Sequence, residues 1–477
     1  MKDIVVLGGG LSGLSLAYFL RQSLRTLPVQ VPTRIRVLEA SGRAGGWVQT
    51  AQRGDFLFED GPRGFRPSRN GAEMLRLVEQ LDLKKEMRAV DAAAKSRYVL
   101  RNGQVEKLPT SVKEILTWPL TLDVVKAGIH EVFTAPTTQE DETIYNFIAR
   151  RFSPVVAERL LDPVASGIFG GDIGQLSVRA CFRLLWDLEQ QHGSVVRGML
   201  FGKSSGDGTL LDGSIKSDFI RQHENSVSVS FKDGMSTLIR ALEAEIANDD
   251  ASDVLLNTKV AQIESTTTGN FTVHTESGEK INATHVFSTL PSFQLTPAVE
   301  KAFPDLAETL KTIRFVSMGT VHVGFNDAVL KSDGFGYLVP TCEKERVLGV
   351  IFDSNAFPSQ NAETHTLQTR LSVMCGGAHF PEIEQITKDE FEGLALEGIG
   401  RHLGIRETPD YVHSVVLRNC IPQYHVGFHK TLAKIESQLA PGLQLGGNSF
   451  YGIGLADCVT RSKELALSFA QSIQQQQ

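Results

Sequence analysis

The sequence predicts an α/β protein that combines a discontinuous Rossmann-like domain, a substrate domain built on an antiparallel sheet, and a mainly helical insertion. Three observations support this architecture. The chain opens with a short apolar run, a glycine-rich turn and a helix. Strand-like segments dominate from about residue 226 to residue 352, and helical periodicity dominates from about residue 113 to residue 201. A last strand and a last helix close the chain.

The first elements form a βαβ unit. Strands are predicted at Asp3–Leu7 and Arg34–Glu39, with a helix at Leu11–Leu24 between them. The glycines of Gly8–Gly13 permit a tight turn, the approach of a pyrophosphate to bare backbone, and close packing of helix on strand. Glu39 is placed to accept the ribose hydroxyls. It lies beyond the usual spacing of ~20 residues because "TLPVQVP" is inserted before the second strand.

Turn and capping signals predict the elements that follow. A strand is predicted at Phe56–Glu59 and a hairpin over Tyr98–Val105, whose "NG" pair favours a tight turn. Apolar residues recur on one helix face after Thr121, which we interpret as an N-cap, and again after a second N-cap that is either Thr143 or Asp141. Ser204–Gly213 is interpreted as a linker. Beyond it, "VLLNTKVAQI" and "FTVHTESGEKI" are interpreted as strands.

Composition narrows the class of protein. A net charge of −7 and a pI near 6.0 argue against nucleic acid as the main partner. The five cysteines are far apart and the twelve histidines show no ligand spacing, so no disulfide framework and no metal site is predicted. We expect neither a membrane-spanning helix, since no apolar run is long enough, nor a cleavable presequence.

Segments at opposite ends of the chain favour FAD over NAD. After the second strand, "EASGRAGGW" brings Arg43, Gly46 and Trp47 to the phosphate-facing edge. Near the C-terminus, Gly446-Gly447 ends a strand, and "FYGIGLADCV" opens a helix predicted at Leu455–Ile473. The N-terminus of that helix could stabilise negative charge on a reduced flavin.

Further motifs carry a family resemblance over essentially the whole chain. They are "EDGPRGFRP", "SGIFGGD", "GFGYLVP" with "LGVIFDS", and "NCIPQY". With the segments above, the sequence resembles the flavin amine oxidase and phytoene desaturase superfamily and, within it, the protoporphyrinogen oxidase family of mitochondrial type. Generic amine oxidases share only the first and last of the flavin segments.

The resemblance implies noncovalent FAD held by residues from distant parts of the chain. The implied contacts are Gly8, Gly9, Gly10, Leu11, Ser12, Gly13, Glu39, Arg43, Gly46, Trp47, Gly61, Pro62, Arg63, Gly64, Val260, Asn448, Ile453, Gly454 and Leu455. It also implies a tetrapyrrole pocket. The pocket residues are Arg97, Gly167, Leu338, Ile351 and Met374.

Simpler interpretations of the pocket residues stay open at this point. Without the resemblance, Arg97 would be a solvated surface arginine, and the three aliphatic residues would be core. A broad apolar macrocycle with carboxylates at one edge nevertheless needs aliphatic walls and a fixed cation. Ser166 stands where the animal members of the family are expected to carry arginine, so a second cation is not predicted there.

The activity that the resemblance implies is oxidation of protoporphyrinogen IX to protoporphyrin IX. Six electrons pass through the flavin to three molecules of O₂, which become hydrogen peroxide. No general base is predicted. The alternatives are a related flavin oxidase that acts on coproporphyrinogen III or on an amine, and a flavin-binding protein without catalytic activity.

The resemblance also implies where the protein works and what it contacts. It implies peripheral, monotopic association with the mitochondrial inner membrane, through the region that contains Trp118, Leu120 and Leu122. An internally packed helical subdomain is the alternative. A homodimer and contact with the next enzyme of haem synthesis are left open as partners.

The predicted domains alternate along the chain. The FAD-binding domain takes residues 1–75, 211–292 and 430–477, and the substrate domain takes residues 76–95 and 293–429. The helical, membrane-associating and substrate-channel domain takes residues 96–210.

Overall fold

A five-stranded parallel sheet forms one half of the molecule. The computed structural model describes residues 2–29, 31–109, 114, 118, 120–202, 208–266, 269–365 and 367–475. In spatial order the strands are Leu443–Leu445, His285–Ser288, Lys2–Leu7, Thr33–Leu38 and Ser252–Leu255. The central strand is fully buried over its apolar residues, as expected for a parallel sheet covered on both faces. The predicted βαβ start is confirmed.

Helices cover one face of this sheet, and a smaller sheet lies against the other. The helices Leu11–Arg25, Ser236–Ala247 and Leu455–Gln475 contribute to one apolar core. The opposite core includes the antiparallel strands Val260–Ser265, Phe271–Thr275 and Lys280–Ala283.

A seven-stranded sheet forms the other half of the molecule. Its spatial order is Tyr411–Gln423, Arg314–Phe325, Thr369–Gly376, Val347–Phe352, Gly336–Leu338, Tyr98–Arg101 and Gln104–Lys107. All neighbours are antiparallel except one pair, because Tyr98–Arg101 arrives from a distant part of the chain and lies parallel to Gly336–Leu338. The predicted antiparallel sheet is therefore mixed at this one junction.

Two short ladders complete the strands. One pairs Thr50–Arg53 with Phe56–Glu59, and the other pairs Met87–Ala89 with Val229–Phe231. One strand prediction was wrong. "VLLNTKVAQI" is divided between two sheets, because Asn257 turns the chain with a φ of 54°.

Helices between residues 121 and 201 pack around a buried ion cluster. They are Thr121–Phe133, Ile144–Arg151, Val178–Cys181, Arg183–His192, Val195–Phe201 and a continuous helical run composed of Pro154–Val156, a π-turn at Ala157–Leu161, and Asp162–Phe169. Arg151 is fully buried, and it pairs with Glu131 at 2.6 Å and with Glu189 at 2.5 Å.

Capping at these helices follows the prediction at one site only. Thr143 accepts a hydrogen bond from the backbone of Asn146 at 3.0 Å and caps its helix as predicted. The prediction for Thr121 was wrong: Leu120 is the N-cap residue, and Thr121 is the first residue of the helix. The predicted linker falls partly outside the described residues, which begin again at residue 208.

The remaining helices connect or cover the sheets. The α-helices are Gly71–Gln80, Asp218–His223, Ser292–Val299, Pro304–Leu310, Asp353–Ala356, Lys388–Leu403 and Phe428–Ser437. Short 3₁₀ helices lie at Ala92–Lys95, Thr341–Glu343, Pro358–Gln360 and Pro381–Glu384. The division into domains stays a prediction, although each large sheet collects strands from distant parts of the chain.

Candidate active site

The glycine-rich turn after the first strand forms a cradle of bare backbone. A Cβ atom added to Gly13 would lie 1.9 Å from the Gly8 carbonyl oxygen, so Gly13 is needed for helix to pack on strand. A Cβ added to Gly10 would meet nothing closer than the Gly46 Cα, at 3.8 Å. Gly10 therefore faces open space at the N-terminus of the helix Leu11–Arg25, which is the arrangement that receives a pyrophosphate.

Glu39 lies at the carboxyl end of the second strand, as predicted. Its Oε2 accepts a hydrogen bond from the Gly9 amide at 2.8 Å, and its Oε1 accepts from the Ser41 amide and hydroxyl, both at 2.8 Å. The carboxylate is therefore held in a fixed orientation beside the cradle, with acceptor capacity left for a ribose hydroxyl.

The loop that follows Glu39 lies against the cradle. The Gly45 amide donates to the Gly9 carbonyl at 2.8 Å. Arg43 is exposed, and its guanidinium donates to the Gly46 carbonyl at 2.8 Å, so in this structure it supports the loop. Trp47 is half-buried, and its backbone lies close to Gly61 at the start of the predicted segment Gly61–Gly64. A Cβ added to Gly61 would lie 1.8 Å from the Trp47 carbonyl oxygen.

The segment from Gly61 to Gly64 joins the two halves of the molecule. Gly64 allows close approach to Val229, whose carbonyl oxygen would lie 2.5 Å from an added Cβ. Between the glycines, Pro62 is half-buried and Arg63 pairs with Asp353 at 3.2 Å. The Arg63 Nη2 atom is buried and has no hydrogen-bond partner within the part of the chain that is described. A buried donor of this kind is suited to an anionic ligand.

The C-terminal segment contacts the region of the cradle at two points: Gly447 lies against Thr289, and Ser462 contacts Ser12. The Thr289 hydroxyl donates to the Leu7 carbonyl at 2.8 Å, and its backbone contacts Gly447. Ser462 in the last helix donates to the Ser12 carbonyl at 2.8 Å. Parallel strands place ligands at their carboxyl ends, so the position of Thr289 directly after a strand was a usable signal that the sequence analysis missed.

The other predicted cofactor residues lie near these contacts. Asn448 donates to the Cys420 carbonyl at 3.2 Å, and its own carbonyl accepts from the Tyr424 hydroxyl. Ile453, Gly454 and Leu455 are half-buried at the start of the last helix. Val260 is half-buried two residues after Thr258, whose amide donates to the Glu39 carbonyl at 2.8 Å.

The three predicted aliphatic pocket residues share one face of the seven-stranded sheet. Leu338 and Met374 both pair with Gly349, and Ile351 lies two residues further along the same strand. All three are half-buried, whereas the residues that flank them in sequence point to the opposite face and form the core. The interpretation of these residues as core was therefore wrong.

Gly167 lies directly over this face. A Cβ added to Gly167 would lie 2.8 Å from the Leu338 Cδ2 atom, so the helix Asp162–Phe169 packs against the sheet at this point. Gln423, which the sequence analysis missed, donates from its side-chain amide to the Phe169 carbonyl at 2.8 Å and holds the end of that helix. No local pattern in the sequence signals this contact, because the two residues are far apart in the chain.

Arg97 enters the same region beside the strand Tyr98–Arg101. It is half-buried and stacks on Phe335, with 4.3 Å from the guanidinium carbon to the ring centroid. Its Nη1 donates to the Ala94 carbonyl at 2.9 Å, and no carboxylate of the described residues pairs with it. Burial lowers the pKa of Arg97, which marks a cation that lacks a counter-ion.

Comparison with known proteins identifies the family of this chain. The family model described as flavin containing amine oxidoreductase matches residues 11–466. The chain is 32% identical to protoporphyrinogen oxidases of Bos taurus and Homo sapiens, with 98% of each chain covered. It is 25% identical to coproporphyrinogen III oxidase of Bacillus subtilis, over 97% of this chain and 96% of that protein.

Solved structures share the fold. A crystal structure from Exiguobacterium sp. 255-15 superposes with a TM-score of 0.80 at 23% identity, covering 100% of this chain and 99% of the other. Cyclohexylamine oxidase from Brevibacterium oxydans superposes with a TM-score of 0.69 at 16% identity, with 99% of each chain covered. The chain belongs to the flavin-containing amine oxidoreductase family, within the group that contains the protoporphyrinogen and coproporphyrinogen III oxidases.

Proposed function

We propose that this protein oxidises protoporphyrinogen IX to protoporphyrin IX with noncovalently bound FAD. The observation that carries the proposal is one face of the seven-stranded sheet, here called the substrate face: half-buried Leu338, Ile351 and Met374 lie beside Arg97, a guanidinium without a counter-ion among the described residues. Such a surface suits a flat apolar macrocycle with a carboxylate at its edge. The names of the relatives at 32% identity support the same substrate.

The residues of the cradle fit the cofactor that the proposal requires. Gly10 leaves room for a pyrophosphate, Glu39 is oriented for a ribose, and the Arg63 Nη2 atom is a buried donor without a partner among the described residues. When bound, the flavin accepts the electrons of the substrate and passes them to O₂. The loss of six electrons and six protons from protoporphyrinogen balances the reduction of three O₂ to three H₂O₂.

The protein's own groups orient the substrate and shield it from water. Arg97 would hold a propionate by paired hydrogen bonds, and the three aliphatic side chains would support the macrocycle. Gly167 permits the helix Asp162–Phe169 to cover the sheet closely. These contacts place the macrocycle without assigning a side chain as general base.

Coproporphyrinogen III is the second candidate substrate, because the Bacillus subtilis relative is named for it. Coproporphyrinogen carries four carboxylates and protoporphyrinogen carries two. Arg97 is the only cation among the five predicted pocket residues, and Ser166 beside Gly167 is uncharged. This charge count favours the substrate with fewer carboxylates.

The test is oxidation of three substrate classes by the purified protein. Protoporphyrinogen IX, coproporphyrinogen III and a panel of amines would be followed by porphyrin fluorescence and by peroxide release. We expect the highest kcat/KM with protoporphyrinogen IX and three peroxides for each porphyrin formed. A higher kcat/KM with coproporphyrinogen III, or oxidation of amines alone, would replace the proposal. Acid precipitation should release all of the flavin, and flavin that stays in the pellet would contradict noncovalent binding.

We also propose that this protein binds a membrane surface through an apolar patch on the helical insertion. The patch consists of Leu122, Val125, Ile129 and Phe133 on one helix and Met199–Phe201 at the end of another. Leu122 is 72% exposed, and Phe133 and Phe201 are each 81% exposed. Contiguous exposed apolar side chains of this size are unusual on a soluble surface. The proposal includes the mitochondrial inner membrane as the compartment.

The geometry of the two helices brings the patch together. Arg197 donates to the Val132 carbonyl at 3.0 Å, and Ser194 donates to Glu131 at 2.5 Å, so both helices are fixed to each other beneath the patch. Trp118 and Leu120 instead line a small internal cavity with Val99. Among the described helices, none is long and apolar enough to cross a bilayer.

A liposome flotation assay tests the patch. Leu122→Glu with Phe133→Glu should move the protein to the lipid-free fraction, because two charges would enter the interface. Leu211→Glu is the matched control, since Leu211 is an exposed leucine outside the patch. Unchanged flotation of the double variant, with its melting temperature preserved, would overturn the proposed surface.

A further inference from the structure

A closed chain of polar side chains ties the loop at residues 60–63 to the seven-stranded sheet. His322 Nε2 lies 3.3 Å from Asp60 Oδ1, and His322 Nδ1 lies 2.9 Å from Ser372 Oγ. Ser372 donates to Asp353 Oδ2 at 2.6 Å, and Arg63 donates to Asp353 Oδ1 at 3.2 Å. The chain thus leaves the loop at Asp60 and returns to it at Arg63. We call these five residues the polar chain.

The polar chain is sealed from solvent. His322 is 1% exposed and Ser372 is fully buried, and the two aspartates are 5% and 7% exposed. Phe58 stacks on the His322 imidazole, with 4.6 Å between centroids. Each polar atom in such a place needs a hydrogen-bond partner from the chain itself.

The polar chain also lies on the face of the sheet that carries the proposed substrate residues. In the strand register, Gly336 pairs with Ile351, Ile351 with Ser372, Ser372 with His322, and His322 with His413. Paired residues on neighbouring strands point to the same face. His322 is therefore two strands from Ile351 in one row, and it connects that face to the loop that holds Arg63.

The polar chain has fewer donated hydrogens than contacts, so one of its contacts is left without a hydrogen bond. The hydroxyl proton of Ser372 goes to Asp353, so Ser372 can only accept from His322 Nδ1–H. A neutral imidazole with its proton on Nδ1 has a bare Nε2, which then faces the Asp60 carboxylate at 3.3 Å. Both atoms of that last contact have no hydrogen-bond partner in the described part of the chain. One further proton between Asp60 Oδ1 and His322 Nε2 would give each of these two atoms a hydrogen-bond partner.

We propose that Asp60 and His322 share one additional proton, and that the polar chain completed by this proton positions the loop at residues 60–63 for the bound cofactor. Asp60 and His322 are positioning residues in this role, since they act through the loop. With the shared proton, the positive charges of Arg63 and of that proton balance the negative charges of the two aspartates. Without it, the buried chain carries one net negative charge beside the site of an anionic cofactor.

Other ionisable groups surround His322, and their contribution to a pH effect must be distinguished from that of His322. Facing it or its partners from the packed elements are Asp60, Arg63, Asp353, Glu59, Arg370, Tyr411 and His413. Glu59 is the main competitor for a pH effect, because burial raises its pKa to about 8. Burial lowers the pKa of His322, while Asp60 and Asp353 oppose this.

One substitution supplies the missing hydrogen permanently. In Asp60→Asn, the side-chain amide can donate to His322 Nε2, and the net charge equals that of the protonated wild-type chain. Asp60→Ala removes the contact. His413→Gln is a matched control, because His413 is the register partner of His322 and lies outside the polar chain.

The experiment measures FAD binding from pH 5 to pH 9.5 and the protonation of His322 by nitrogen-15 NMR, assigned with His322→Gln. In the wild type, FAD affinity should fall about 10-fold with rising pH, the scale of one lost buried hydrogen bond. Asp60→Asn should stay within about 2-fold over this range, and Asp60→Ala should bind weakly at every pH. His413→Gln and Glu59→Gln should retain the wild-type slope. The NMR spectrum of the wild type at pH 5 should show a proton on Nδ1 and a hydrogen-bonded Nε2 that shares the second proton.

Three results would overturn the inference. They are a bare Nε2 in the wild type at pH 5, a loss of FAD affinity with rising pH in Asp60→Asn as steep as in the wild type, and abolition of that loss by Glu59→Gln. The inference rests on the proposed binding of FAD only through the affinity measurement. Because NMR reports His322 without cofactor or substrate, failure of the polar chain is distinguishable from failure of the proposed function.

Discussion

The two large sheets contribute different chemical groups to the candidate site: backbone at the parallel sheet and side chains at the seven-stranded sheet. Around the parallel sheet, the cradle consists of backbone: Gly8, Gly10 and Gly13 are adjacent in sequence, and Glu39 hydrogen-bonds directly to Gly9. On the seven-stranded sheet, the substrate face consists of side chains. They come from strands that are distant in the chain and that register alone brings together.

This difference decides what a substitution does in each region. A cradle of backbone is sensitive to any added atom, because it works by close approach. A face of side chains tolerates changes of shape but depends on charge and on whether each polar atom has a partner. The predictions below test this contrast, beginning with the largest effect.

Gly13→Ala and Gly10→Val should separate folding from cofactor binding within one turn. The Gly13 methyl would lie 1.9 Å from a carbonyl oxygen, so we expect a loss of about 3 kcal/mol or more in the free energy of unfolding. The Cβ atom of Gly10→Val would meet nothing closer than the Gly46 Cα at 3.8 Å, so the fold should persist while flavin binding weakens at least ~100-fold. Melting temperature and flavin content are the measurements. Equal loss of stability in both variants would show that Gly10 also serves packing.

Arg97→Ala should have the next largest effect, on the other sheet. Truncating one partner of an enclosed, charge-assisted pair costs about 2–5 kcal/mol, so kcat/KM with protoporphyrinogen IX should fall roughly 30-fold or more. FAD content should stay normal. Arg97→Lys should recover only part of the activity, since an ammonium cannot reproduce the paired donors of a guanidinium.

A substrate analogue provides the control for Arg97. With the propionates of the porphyrinogen esterified, wild type and Arg97→Ala should perform alike, because the carboxylate that Arg97 recognises is absent. If the variant is impaired to the same degree on the ester, Arg97 acts through its stacking on Phe335 rather than through the substrate.

The contrast between the sheets also explains what the sequence could predict. The βαβ start, the hairpin at Asn102-Gly103 and the cradle depend on neighbouring residues, and local patterns are sufficient for such features. Asn102 and Gly103 both adopt positive φ, 52° and 74°, as the turn chemistry requires. The family resemblance extended this local information to the residues of the proposed substrate face.

Features that depend on register were not predictable from local sequence. His322, Ser372 and Asp353 lie on three different strands or strand ends, and only their alignment makes a hydrogen-bonded chain. The helix Thr121–Phe133 is a case in which local sequence predicted one property and not another. Its periodicity gave an apolar face correctly, but whether that face packs inward or outward depends on the fold, and Leu122 and Phe133 turn out to be exposed.

Glu59→Gln should change the pH dependence of stability at the junction of the two halves. Burial raises the pKa of Glu59 to about 8, while its unfolded value is about 4.3. Between these values the folded state binds a proton that the unfolded state lacks, so wild-type stability falls as pH rises. The expected slope is about 1.4 kcal/mol per pH unit, or about 3 kcal/mol between pH 5 and pH 7. Glu59→Gln should flatten this slope in thermal unfolding, and an unchanged slope would mean that Glu59 is ionised in the folded state.

The smallest effect should come from Ser166, which lies in the helix Asp162–Phe169 that covers the proposed substrate face. Its side chain is 1% exposed, and its hydroxyl has no hydrogen-bond partner among the described residues, whereas buried Ser177 donates to Asp141 at 2.7 Å and accepts from the Ala180 amide at 3.0 Å. Removing an unpaired hydroxyl relieves its desolvation cost, so Ser166→Ala should raise the free energy of unfolding by about 1 kcal/mol. Ser177→Ala should lower it by about 1–2 kcal/mol, because it leaves partners unpaired. Chemical denaturation of both variants measures the difference. If Ser166→Ala is destabilising instead, its hydroxyl has a partner in solution, and an accompanying rise in KM would assign that partner to the substrate side of the helix.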